Sequence, residues 1–335
     1  MILSVSRRTD IPAFYSNWFF NRLRAGFVYS INPFNRKQIS RISIKPDDVD
    51  CIVFRTKNPE PMLDRPDEFR EYKYFFQFTI TPYDRDVEPG LLRDRLKRDL
   101  IRTFQKLSTL IGKDKVVWRY DPILLSEAGH SVDWHFDRFS KMLKALAPYT
   151  ERGVISFLDL YRKTEHNTRP LDIRDITVEE MRELARGFSQ IAEGSGIKIQ
   201  SCSEKIDLSE FGIEHGACID KTMIERMLGE SIDIKKAPTQ RLECGCVESA
   251  DIRQYDTCPH LCAYCYANFR PQIAKTHYEH HDENSPLLFG ELRGDERITD
   301  RKIKRLRRTQ NELFGNVCSD AFEISRRQKD RRRVA

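Results

Sequence analysis

Tyr74-Phe-Phe-Gln-Phe-Thr-Ile-Thr-Pro82, then Leu92, Leu96, Leu100, Phe104, Leu107 and Ile111, then Val116-Val-Trp-Arg-Tyr-Asp-Pro122 is the stretch that decides the fold. The first and last runs are apolar, rich in aromatic or β-branched residues and closed by proline, as strands are. The leucines between them recur every three or four residues, as one face of a helix does. Strand, helix and strand in that order call for parallel pairing through a right-handed crossover.

The unit recurs in both directions. Upstream, residues 1–6 and 49–54 read as strands, the second apolar enough to be buried on both faces. Between them lie a short helix through Trp18, Phe19, Arg22 and Leu23 that stops at Gly26, and a hairpin of residues 27–31 and 38–44. Downstream, Val132, Phe136, Phe139, Leu143 and Leu146 form an amphipathic face, and residues 154–158 a strand. A capping box, Thr177-Val-Glu-Glu180, opens a helix through Met181, Leu184, Phe188 and Ile191 that ends at Gly194, before a strand at 197–200. Six candidate strands alternating with helices predict an α/β fold, a partial or full TIM-type β/α barrel over residues 1–240. Residues 241–300 read as a cysteine-bearing segment packed on it, and residues 301–335 as a basic tail.

In such barrels chemistry sits where strands end. Here every strand exit is polar: Arg7 and Asp10, Arg55 and Lys57, Thr79 and Thr81, Arg119 and Asp121, Asp159, and Glu204. Arg7, Asp10, Lys57, Arg119, Asp121, Asp159 and Glu204 are therefore candidate catalytic residues. Taken singly, each could equally cap a helix or close a loop ion pair, and Asp121-Pro122 could simply shape a turn. The glycine signatures of dinucleotide and phosphate loops are missing, as is the hydrolase nucleophile elbow. The eight histidines, His260 and His280-His281 among them, show no H-x3-H or H-E-x2-H spacing.

At 335 residues the chain is long enough for one large barrel or two ordinary domains. Its composition, 39% hydrophobic and 32% charged, is that of a soluble globular protein, and no apolar run approaches the roughly 18 residues of a membrane span. The first residues meet Arg7-Arg8 too soon for a signal peptide, so a cytoplasmic location is expected and the cysteines should stay reduced. Residues 301–335 carry twelve Lys and Arg against Glu312, Asp320, Glu323 and Asp330. The tail's +8 thus exceeds the whole chain's +6. That tail is a candidate nucleic-acid arm, or a solvated basic terminus.

Thr257-Cys-Pro-His-Leu-Cys-Ala-Tyr-Cys-Tyr-Ala-Asn268 names a chemistry. Cys258, Cys262 and Cys265 in C-x3-C-x2-C spacing can hold three corners of an iron-sulfur cube, leaving one iron without a protein ligand and open to a small molecule. The alternative is a zinc ribbon completed by Cys244-Gly-Cys246, or buried inert thiols. Five cysteines within 22 residues argue against inert packing. Cys202, Cys218, Cys244 and Cys246 could together form a second iron-sulfur or zinc site, or be small core residues.

The loop resembles the radical S-adenosylmethionine (radical SAM) cluster motif, in which the free iron takes the cofactor's amino and carboxylate groups. Tyr264 is then placed to lie against an adenine face. Together with the loop, Ser6-Arg-Arg-Thr-Asp-Ile-Pro12, Thr56-Lys-Asn-Pro59, Trp118-Arg-Tyr-Asp-Pro122, Gly212-Ile-Glu-His-Gly216 and Cys244-Gly-Cys-Val-Glu248 resemble the domain of unknown function 1848 family over nearly residues 1 to 310. That resemblance implies a 4Fe-4S cluster on Cys258, Cys262 and Cys265. Relatives of the family are likened to spore photoproduct lyase, a DNA-repair enzyme whose cluster loop also reads Tyr-Cys-Tyr. Two features depart from the ordinary radical SAM pattern: the loop follows the strands instead of the first one, and no Gly-Gly-Glu stretch offers backbone to the cofactor. The expectation is an enzyme that cleaves S-adenosylmethionine with an electron from a donor such as a ferredoxin or flavodoxin. The other expectation is a zinc- or cluster-bearing nucleic-acid-binding module without catalysis.

Overall fold

The computed structural model describes residues 1–90, 97–160, 162–238 and 240–306. In chain order these form β1 (Ile2–Val5), α1 (Ile11–Phe14), α2 (Ser16–Ala25), β2 (Phe27–Asn32), β3 (Asn35–Ser43), β4 (Cys51–Thr56), α3 (Glu60–Leu63) and β5 (Tyr74–Thr79). Next come α4 (Lys97–Ile111), β6 (Val116–Ile123), β7 (Leu125–Ser126), α5 (Val132–Leu146), β8 (Arg152–Phe157), α6 (Arg162–Thr168), β9 (Ile173–Arg174) and α7 (Val178–Ala192). The chain continues through β10 (Lys198–Cys202), β11 (Glu214–Gly216), α8 (Lys221–Leu228), β12 (Ala250–Asp251), α9 (Pro271–Glu279) and β13 (Arg297–Asp300). Leu92 and Leu96 lie outside the described residues, as does the basic run beyond Leu306.

Eight strands form one sheet in the order β11-β10-β8-β6-β5-β4-β1-β12. Every ladder in it is parallel. From β1 to β11 the strands are laid down in chain order, so successive right-handed crossovers stack their helices on one face. That face is the larger core. Phe54, Phe76, Phe78, Trp118, Tyr120 and Ile155 meet Leu100 and Phe104 of α4, Phe139 and Leu143 of α5, and Leu184 and Phe188 of α7. Phe139 stacks on Phe188 at 4.2 Å between ring centroids and on Trp118 at 5.2 Å.

The expected full barrel does not close. Among the described residues no ladder joins β11 to β12, and the sheet is open. Both edge strands are short, three and two residues, and the chain between them covers the second face of the sheet instead of completing a ring. Ile2, Cys51, Val53, Phe75, Val117 and Val154 pack there against Ile219, Met223, Ile224, Ile232, Val247 and Leu306. Because side chains alternate across a strand, the same face turns polar two residues further on, at Arg55, Gln77, Arg119 and Ser156. An apolar floor and a polar upper rim are thus set by the strand sequences themselves. The hairpin of β2 and β3 forms a separate sheet with β13. Among the described residues no helix is long and apolar enough to cross a membrane.

Candidate metal centre

A cavity of about 910 Å³ opens at the carboxyl ends of the parallel strands. Cys258, Cys262 and Cys265 line it, and so do Cys202, Cys218, Cys244 and Cys246. Of the rim candidates, Arg7, Asp10, Lys57, Arg119, Asp159 and Glu204 line it as well. Asp121 stands behind Arg119, whose Nε donates to it at 2.9 Å.

The triple-cysteine loop is clamped against the exit of β1 and the segment after β5. Tyr15 donates its hydroxyl to the Thr257 carbonyl (2.6 Å), and Asn268 its amide to the Cys258 carbonyl (2.7 Å). Asp10 caps α1 through Ala13 N–H (3.0 Å) and also accepts from Lys57 N–H and from His260 Nε2, both at 2.6 Å. Gly90 N–H donates to the His260 carbonyl at 2.9 Å. The approach requires glycine, since a Cβ there would stand 2.1 Å from the Pro259 carbonyl oxygen.

Glu88 is the residue that sequence reasoning missed. Fully buried, it accepts at Oε1 from Lys57 Nζ (2.7 Å), Thr81 Oγ1 (2.6 Å) and the Tyr264 hydroxyl, and at Oε2 from Lys97 Nζ (3.0 Å). Burial opposes its charge, but the two ammonium groups hold the carboxyl well below the usual range. Tyr264 lines the cavity with its hydroxyl committed to Glu88, and Lys57 Nζ lies 5.7 Å from the centre of its ring. The only signal in the sequence is a carboxylate just before Pro89-Gly90.

The loop thiols are raised by burial. Cys262 is pushed up to about 12, with Lys57 pulling the other way, and Cys258 and Cys265 are raised by burial too. These thiols are apolar and protonated unless a metal draws the protons off.

The second set differs. Cys202 Sγ and Cys218 Sγ touch at 3.3 Å, and Cys246 Sγ accepts from Ile219 N–H at 3.4 Å. Arg119 Nη1 donates to Cys218 Sγ at 3.0 Å and to Gln77 Oε1 at 3.1 Å. Cys218 is drawn well below the ordinary thiol value, first by hydrogen bonds from Cys202 and Cys246 and then by the Arg119 and Arg55 charges. Its partners Cys202 and Cys246 move up correspondingly. Among the described residues no group of three or more His, Cys, Asp or Glu side chains is placed to hold a metal ion as the side chains stand.

The remaining rim residues separate by partner. Asp159 pairs with Arg241, while Glu204 accepts from Phe157 N–H at 2.9 Å and is raised to about 7, chiefly by burial. Arg8 lies over the Tyr255 ring at 4.0 Å. Buried guanidinium nitrogens of Arg7, Arg8 and Arg55, together with His260 Nδ1 and Asn268 Oδ1, have no hydrogen-bond partner.

With this geometry in view, the family assignment is direct. A family model described as Domain of unknown function (DUF1848) matches residues 2–267, and the chain belongs to that family. No curated protein and no solved structure matches it.

Proposed function

We propose that the chain is an iron-sulfur enzyme of the radical SAM kind, with Cys258, Cys262 and Cys265 as cluster ligands. The observation that carries this is one wall of one cavity: three thiols in C-x3-C-x2-C spacing, Cys258 and Cys262 buried and Cys265 half-buried, line it beside the polar ends of parallel strands. An open sheet with strands in chain order and helices on one face is also what a partial β/α barrel would have.

The residues present fit such a group. Thiols are the usual ligands of these clusters, and the unpartnered guanidinium nitrogens of Arg7 and Arg8 are donors suited to a carboxylate. A bound 4Fe-4S cluster would supply the electron that cleaves S-adenosylmethionine, drawn from a ferredoxin- or flavodoxin-like donor. The chain's own part is to bind and enclose. Asp10 and Gly90 fix the loop, Glu88 holds Tyr264 and Lys57, and Phe157, Leu158 and Tyr255 supply apolar surface to an otherwise polar wall.

Anaerobic purification followed by iron and sulfide analysis tests the reading, with electron paramagnetic resonance of the reduced protein before and after adding S-adenosylmethionine. A brown protein with about four irons per chain, whose signal shifts on addition of the cofactor, is expected. A colourless protein that takes up no iron on reconstitution refutes it.

A further inference from the structure

Four of the thiols outside the loop come from three segments. Cys202 ends β10, Cys218 follows β11, and Cys244 and Cys246 lie on the chain that returns across the second face of the sheet. None is needed for the reading above, and all four line the one cavity, with Cys202 Sγ and Cys218 Sγ in contact at 3.3 Å. Ile219 N–H points at Cys246 Sγ from 3.4 Å, the backbone donor that metal-bound thiolates commonly take. Gly245 between the last two cysteines lets the backbones close up, since a Cβ there would stand 3.3 Å from the Gly216 carbonyl oxygen.

We propose that Cys202, Cys218, Cys244 and Cys246 bind a single zinc ion as a closed tetrathiolate site that pins the returning chain to the sheet. The Cys202–Cys218 contact selects the metal. Zinc-sulfur bonds of about 2.3 Å in a tetrahedron put the sulfurs roughly 3.8 Å apart. The observed 3.3 Å contact between Cys202 and Cys218 needs to open by only about half an ångström to reach that edge. A four-iron cube binds each cysteine to a different iron and spreads the sulfurs much further.

Charge agrees with this. A zinc tetrathiolate carries two negative charges, and two guanidinium groups face it. Arg119 already donates to Cys218, and Arg55 holds two buried nitrogens, Nε and Nη2, with no hydrogen-bond partner. Unpaired buried donors of this kind are costly unless an anion completes them. Binding is a ligand exchange without redox change: zinc leaves its waters, and the remaining thiol protons pass to solvent. All four positions are filled by protein, so the site is structural.

The test uses the full chain, purified without added metal or chelator, with zinc measured by plasma mass spectrometry. About one zinc per chain is expected in the wild type and in Cys262→Ala, and none in Cys218→Ser. Retention in Cys262→Ala separates this site from the loop cluster, so either assignment can fail alone. Because Cys218→Ser could fold poorly, chelator-treated wild-type protein is also titrated with cobalt(II), whose thiolate charge-transfer and visible bands report tetrahedral sulfur coordination. Cys202→His should still bind cobalt, with the charge-transfer intensity lowered by about a quarter, one thiolate in four. Wild-type protein with neither zinc nor a tetrathiolate cobalt spectrum overturns the proposal. So does a cobalt spectrum unchanged in Cys218→Ser or lost in Cys262→Ala.

Discussion

Replacing Glu88 by glutamine should destabilise the protein through Lys57. Glutamine keeps the volume and an oxygen for Thr81 and Tyr264, so the change removes mainly the negative charge. Lys97 then has an outlet, since about a fifth of its side chain is exposed (22%) and it can turn to water. Lys57 has less freedom: its side chain is 12% exposed, set beside Tyr264 and the loop. Breaking a buried ion pair by removing one partner costs about 3–5 kcal/mol, because the other charge is left buried and uncompensated. The lower end applies here, because Lys57 can release its proton once Glu88 no longer holds its pKa up. A loss of about 3 kcal/mol should lower the urea midpoint by roughly 1 M or more. Urea titrations followed by circular dichroism and tryptophan fluorescence measure it. The double variant Glu88→Gln/Lys57→Met should recover most of the loss, because no unpaired charge remains. A single-variant cost under about 1 kcal/mol, or a double variant whose cost is the sum of the two singles, would refute the argument.

Cys262→Ala should abolish reconstituted iron and sulfide while the far-ultraviolet circular dichroism stays that of the wild type, since the loop lies outside both faces of the sheet core; full iron content would sink the ligand assignment. His135, buried between the Tyr120 hydroxyl and the Leu124 carbonyl at 2.8 Å each, has its pKa lowered to about 4 by burial. Between about 4 and its ordinary value near 6.5 the unfolded chain binds the extra proton, so stability falls with pH in that window, by about 2 kcal/mol between pH 7 and pH 5. His135→Gln should remove that component, and an unchanged pH slope in the variant would show that His135 does not carry it. Leu306 is buried with its N–H on Asp50 at 3.2 Å, so a tail truncation should start after it. Removing residues 307–335 takes away eight Lys and Arg and four acids; if the tail binds nucleic acid, the salt slope should flatten, and an unchanged slope places the contact elsewhere.

Local pattern carried the strands and helices. Residues 116–120 and 74–80 read as strands because their apolar, branched and aromatic side chains fit a sheet buried on both faces, and the helices after them because their apolar positions recur at helical spacing. Closure was not legible, since it depends on pairing between strands that are remote in sequence, and nothing in a two-residue strand at Ala250–Asp251 announces a partner at β1. The approach of Cys202 and Cys218 to Cys244 and Cys246 was equally hidden. Forty-five residues of sequence separation fix no distance, and the chain from Cys218 to Cys244 has only α8 as a regular element. Glu88 was invisible for a related reason, because its four donors come from the exit of β4, the turn after β5, α4 and the cysteine loop.

Geometry divides the rim residues that sequence alone had left equivalent. Asp10 is consumed by three donors, Asp121 by Arg119, Asp159 by Arg241 and Lys57 by Glu88, so each of these stabilises the site before any ligand arrives. Arg119 is likewise spent on Asp121, Gln77 and Cys218. Arg7 differs, with a buried guanidinium nitrogen still unpartnered at the cavity wall, and Glu204 differs in having a charge that changes near neutral pH. A group already satisfied can position its neighbours, but it must break a bond to take up a new one, and in a buried setting that costs about 1–3 kcal/mol. On the proposed reading, contact with a bound molecule would fall first to Arg7, Arg8 and Glu204, while Asp10 holds the loop through His260, and Asp121 and Asp159 hold Arg119 and Arg241.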